Sequence, residues 1–175
     1  MRLLNPTYEE STSHRLKTFL YTSITDTFVV ERICRCIYRG QLSLYTIFTA
    51  KIIYDKVYLH KEQDNTLPFN NSSYIQNHFL VFIACVIIAS KSYMDLSYTN
   101  ISWTELCHFP VNHINKTERI VLQIIDYDVI IPFKTLEAIS ISYGCVKETQ
   151  KIKQKKCAKI RRFISKIFSP FMCLN

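Results

Sequence analysis

The chain has 175 residues, enough for one domain with a substantial core. Only two are glycine, which argues against turn-rich β architectures and against a glycine-lined phosphate loop. The formal charge of +8 is confined to one place: residues 147–168 carry nine Lys or Arg against the single acid Glu148, while residues 1–146 set thirteen bases against thirteen acids.

Residues 1–22 are polar and rich in Ser and Thr, with a short amphipathic piece at 15–21, and are expected to form a flexible N-terminal arm. The opening MRLLNPTYEE lacks a secretion signal's apolar core, because Pro6, Glu9 and Glu10 interrupt it. The expected location is therefore the nucleus or cytoplasm, with the seven cysteines reduced and the sequons at Asn71, Asn100 and Asn115 chance matches. Asp26 has the chemistry of an N-cap, and Phe28, Val29, Ile33, Cys36 and Ile37 then recur at helical spacing up to Gly40, a residue suited to a helix stop. A second helix is expected over 44–58, with Ile47, Phe48, Ile52 and Ile53 inward. Residues 60–72 read as a loop punctuated by Pro68.

The stretch 73–91 (SYIQNHFLVFIACVIIASK) organises the rest. Ser73 and Gln76 stand in capping-box relation, so one helix is expected to begin there. From Phe79 to Ala89 no polar stripe interrupts the apolar residues, and a helix without a polar face must be enclosed by other elements. Its β-branched residues leave a buried strand as the rival, which its length disfavours. The run is too short and too close to Lys91 to span a bilayer. A short helix at 103–109, another capped by Asn112 and running to 125, an extended piece at 127–131 and a helix at 132–143 follow. The fold class expected is all-α, five or six helices round one buried helix.

Four segments in this order carry a family resemblance. VVERICRC (29–36), IIYDKV (52–57), FIACVIIASKSYMD (82–95) and NKTERIVLQIIDYDVIIP (115–132) resemble helices one, two, three and five of a cyclin box. The first of these, together with SYTN at 97–100 ahead of a tryptophan-containing short helix, is most similar to the single-box fungal phosphate-signalling (Pho/Pcl-type) cyclins. The resemblance covers about residues 26–132 and implies a five-helix cyclin box, taken as 23–132, with its third helix at the centre; the arm at 1–22 and a C-terminal helix and basic tail at 133–175 lie outside it. It also implies a non-catalytic regulatory subunit that binds and activates a cyclin-dependent protein kinase and needs no cofactor. Departures are Ser92, where an aromatic residue is common, Lys56, where arginine is usual, and the absence of the Met-Arg-x-x-Leu-x-x-Trp substrate-docking patch.

On residue type alone Lys91 is a lysine favourably ending a helix and Glu118 a solvated glutamate. The resemblance implies more: Lys91 and Glu118, with Tyr93 and Val121 beside them, grip the kinase. Lysine supplies only donors and carboxylate only acceptors, so the two together can hold both ends of a partner's backbone segment. Arg32 and Asp55 correspond to an ion pair between the first two helices, with Arg35 as the alternative partner for Asp55; its role would be structural. Cys107, His108 and His113 have neither the spacing of a tetrahedral metal site nor that of a thiol–imidazole pair, since adjacent helical residues point about 100° apart.

The tail KETQKIKQKKCAKIRRFISKIF, with Lys155, Lys156, Lys159, Arg161 and Arg162 at its centre, sets six apolar residues at near-helical spacing among its bases. An acidic partner, a nuclear-import receptor, an anionic membrane, or simple packing of Phe163 and Ile167 on the box are all compatible with that pattern. It also supports a second function class, a cyclin-fold transcription or nucleic-acid-binding factor that uses the tail.

Overall fold

A computed structural model describes the backbone of residues 6–63, 73–95 and 97–143, and their side chains from residue 14 onward, residues 61–63 excepted. Among the described residues the regular elements are all helices, with no strand: α1 (Pro6–Tyr21), α2 (Thr27–Arg39), α3 (Leu44–Gln63), α4 (Ser73–Gln76), α5 (His78–Tyr93), α6 (Asn100–Cys107), α7 (Val111–Ile124) and α8 (Phe133–Ser142). None of these helices is long and apolar enough to cross a membrane. The chain divides into two compact units, Met1–Ile139 and Ser140–Asn175, and of the second only residues 140–143 are described. The basic tail therefore lies outside the described residues.

In the first unit, α5 is the core. Every residue from 79 to 90 is buried, and α3, α7, α2 and α4 pack round it, α3 most extensively. Enclosure replaces the missing polar face: burying side chains such as Phe82, Ile83 and Ile87 stabilises by about 1.5–3 kcal/mol each. The amphipathic α2 and α7 present Val30, Ile33, Cys36, Ile37 and Ile114, Ile120, Val121, Ile124 to that core.

The start of the central helix differs from expectation. Ser73 begins only the four-residue α4, the chain breaks at Asn77, and Asn77 Oδ1 caps α5 by accepting from the Leu80 N–H at 3.1 Å. Asparagine is at least as good an N-cap as serine, and the break lets α4 drop Ile75 into the core. The N-terminal arm is also not loose over its second half, because α1 packs on α2 and buries Phe19 and Leu20. Phe19 meets Phe48 edge-on at 5.0 Å. Thr18, on the same turn, is exposed, so a polar residue and the buried Phe19 and Leu20 stand side by side in sequence.

Asp26 caps α2 as expected, accepting from Phe28 N–H at 2.8 Å and Val29 N–H at 3.3 Å. Gly40 ends that helix but keeps right-handed dihedrals; the left-handed turn falls on Gln41 (φ 48°). Close approach rather than φ accounts for the glycine, since a Cβ there would lie 3.1 Å from the Cys36 carbonyl oxygen. Helix α6 begins three residues earlier than 103, capped by Thr99, and α7 starts behind Pro110 rather than at Asn112.

Candidate partner-binding site

The C-terminal turn of α5 and the middle of α7 bring Lys91 and Glu118 together. Lys91 Nζ donates to Glu118 Oε1 at 2.6 Å across 27 residues of sequence. The partners sit unequally: the Lys91 side chain is 41% exposed and that of Glu118 12%. Asn100, the first residue of α6, donates through Nδ2 to Glu118 Oε2 and to Asn115 Oδ1, each at 2.6 Å. Both carboxylate oxygens of Glu118 are thus engaged, which fixes its rotamer. The ammonium has three donors and places one on Glu118, with its head group toward water. Asn100 Oδ1 is buried without a hydrogen-bond partner among the described residues.

Tyr93, two residues on, is half-exposed and holds the chain that leaves α7. Its hydroxyl accepts from the Ile131 N–H at 2.7 Å and faces the Ile131 carbonyl at 3.3 Å as donor. That exit turns sharply, with Asp126 and Tyr127 both left-handed, and Lys56 binds Asp128 Oδ2 at 2.5 Å and its carbonyl at 3.1 Å. The exit is therefore tied to both α5 and α3. Around it stand Ile130 (79% exposed) and Phe133 (65%), the latter stacked on Tyr45 at 6.2 Å. Met94, Tyr98 and Ile101, close to Lys91 in sequence, are also exposed. Exposed aromatic and aliphatic side chains thus flank the exit from α7 and follow Lys91 in sequence.

Val121 does not belong to that surface. It is fully buried, one turn beyond Thr117 on the inner face of α7, and is a core residue. The spacing that places Glu118 at the rim places Val121 underneath it.

The expected Arg32–Asp55 pair does not form. Asp55 Oδ2 takes Lys51 Nζ at 2.6 Å, and Asp55 Oδ1 takes the Ser23 hydroxyl at 2.6 Å. Lys51 has a side chain only 10% exposed, so a carboxylate four residues along offsets the cost of burying its charge. Arg32 instead lays its guanidinium over Phe79, 4.0 Å from the ring centroid, with Phe28 and Phe109 at 5.8 and 5.9 Å. Arg35 is exposed and faces a cleft between α1 and α2.

Cys107 is buried and donates to the Trp103 carbonyl at 3.0 Å, while His108 is the exposed left-handed cap of α6. Burial pushes the Cys107, Cys36 and Cys85 thiols up, Cys36 to about 11, so these are inert core groups. Sequence reasoning missed the roles of Lys51, Ser23, Asn100 and Lys56. The i,i+4 spacing of Lys51 and Asp55 was the one signal available; the other contacts join distant segments.

No family model, curated protein or solved structure matches this chain.

Proposed function

We propose that the chain is a non-catalytic, cyclin-like regulatory subunit that binds and activates a cyclin-dependent protein kinase through the surface built on Lys91, Glu118 and Tyr93. The observation that carries this reading is the 2.6 Å contact between Lys91 and Glu118, two residues picked by motif resemblance from segments 27 residues apart. Four helices packed round a buried α5, with the order of segments described above, support the same reading.

In this mechanism the kinase's mobile C-helix and the loop before it dock on the C-terminal turn of α5 and the middle of α7. Lys91 donates to backbone carbonyls and Glu118 accepts from backbone N–H groups, while the apolar rim of Tyr93, Met94, Ile130 and Phe133 supplies buried area. Binding biases the C-helix toward the position where its glutamate meets the ATP-anchoring lysine, and so favours the active arrangement. The chain contributes no catalytic group; its effect is a difference in affinity for two kinase conformations.

Co-expression with a cyclin-dependent kinase tests this. The wild-type chain should co-purify with the kinase and raise its peptide phosphorylation, and the Lys91→Ala, Glu118→Ala double variant should do neither. Equal activation by the double variant would remove the interface from consideration.

A further inference from the structure

A second feature lies on α1 and α2 and shares no residue with the proposed kinase surface. Lys17 of α1 and Glu31, Cys34, Arg35, Tyr38 and Arg39 of α2 line a cleft of about 340 Å³. The α2 residues follow helical spacing, so Glu31, Arg35, Tyr38 and Arg39 share one face. Three cations here face one carboxylate. None of the ion pairs found among the described residues involves any of them, although Glu31 stands four residues before Arg35. Tyr38 leaves 79% of its surface in water beside them. Cys34 stays a neutral thiol, since burial, partly opposed by Lys17, raises its pKa. It adds no negative charge to the cleft.

Two arginines one helical turn apart and a lysine line one small cleft, and such cations are the groups that recognise a phosphoryl or carboxylate. The last-turn dipole of α2 opposes an anion there, and two arginines on the same turn outweigh it. The size suits one side chain with its flanking backbone and is too small for a folded domain. Residues 1–146 carry no net charge, so the cleft is a local cation cluster without the broad basic field that a nucleic-acid backbone or an anionic bilayer requires. Tyr38 offers an amphipathic platform for an apolar residue next to the anion.

We infer that the α1–α2 cleft is a docking site for an anionic peptide segment of a protein partner, with a phosphorylated or carboxylate side chain held by Lys17, Arg35 and Arg39.

The test uses the full chain and a labelled peptide in three forms, carrying phosphoserine, glutamate or unmodified serine at one position, with binding read by fluorescence polarisation. Two variants accompany it: Arg35→Gln with Arg39→Gln, and a tail variant with Lys155, Lys156, Lys159, Arg161 and Arg162 all changed to Gln. The cleft variant should weaken binding of the phosphoserine or glutamate form by about tenfold or more, and flatten its salt dependence. The tail variant should bind as wild type, which separates the cleft from the other basic segment. Both arginines are exposed, and circular dichroism identical to wild type shows that the fold is retained. Absence of binding by both anionic forms, equal binding of the serine form, or loss in the tail variant with none in the cleft variant would each overturn the proposal.

Discussion

Replacing Lys91 and Glu118 by alanine, singly and together, separates what the pair contributes to the fold from what it offers a partner. The Lys91 side chain is 41% exposed, so water screens its attraction to Glu118, and removing it should cost about 0.2–1 kcal/mol. Glu118 is 12% exposed and also accepts from Asn100, whose amide keeps Asn115; Glu118→Ala should therefore cost about 1–2.5 kcal/mol. The coupling energy from the double-mutant cycle should fall at about 0.5–1 kcal/mol. For a chain of this length each kcal/mol lowers Tm by about 2–4 °C. Urea unfolding followed by fluorescence of Trp103 reads these values directly, because it is the single tryptophan of the chain and is fully buried. A coupling above about 3 kcal/mol would mark a pair that holds the fold together. Loss of partner binding in the double variant would then report unfolding, and the functional reasoning would fail.

The reassigned ion pair gives a second cycle. Arg32 and Asp55, changed to Met and Asn, should show coupling below about 0.5 kcal/mol, whereas Asp55→Asn alone should cost about 1–3 kcal/mol by stranding Lys51. In α6, Trp103→Ala should cost about 3–5 kcal/mol, while Ile101→Ala, 69% exposed and two residues away, should stay within about 0.5 kcal/mol of wild type. Alkaline stability should fall as pH rises above 9. Burial raises Cys36 from 9.0 to about 11 and Tyr58 to about 12, and Tyr54 moves in the same direction. The unfolded chain releases these protons first, so the folded state binds more protons and loses stability over roughly pH 9–11. Thermal melts across that range check the sign; a flat profile would contradict it.

The buried α5 was legible because apolar residues on all sides leave a helix no alternative to enclosure, and Asp26 because its cap depends on two neighbouring N–H groups. The contact between Lys91 and Glu118 joins two residues that a resemblance spanning two segments had singled out. What local pattern could not decide was competition between distant partners. For Asp55 the resemblance offered Arg32, with Arg35 as the alternative; the outcome went to Lys51, with Ser23 arriving from beyond the end of α1 and three phenylalanines gathering round Arg32. Val121 was misplaced for a related reason: one turn of α7 covers both rim and core, and the phase of that helix is set by what it packs against. The arm failed because its polar composition hid Phe19 and Leu20, which need α2 and α3 beside them to be buried.

The central claim is that the C-terminal turn of α5 and the middle of α7 grip a kinase. Its most direct test is the dissociation constant between the purified chain and a cyclin-dependent kinase, measured for wild type and for the Lys91→Ala, Glu118→Ala double variant with Trp103 fluorescence confirming that both are folded. The account predicts a complex for wild type and at least about tenfold weaker binding for the double variant, with kinase activation lost in parallel. A folded double variant that binds and activates as wild type does would contradict it.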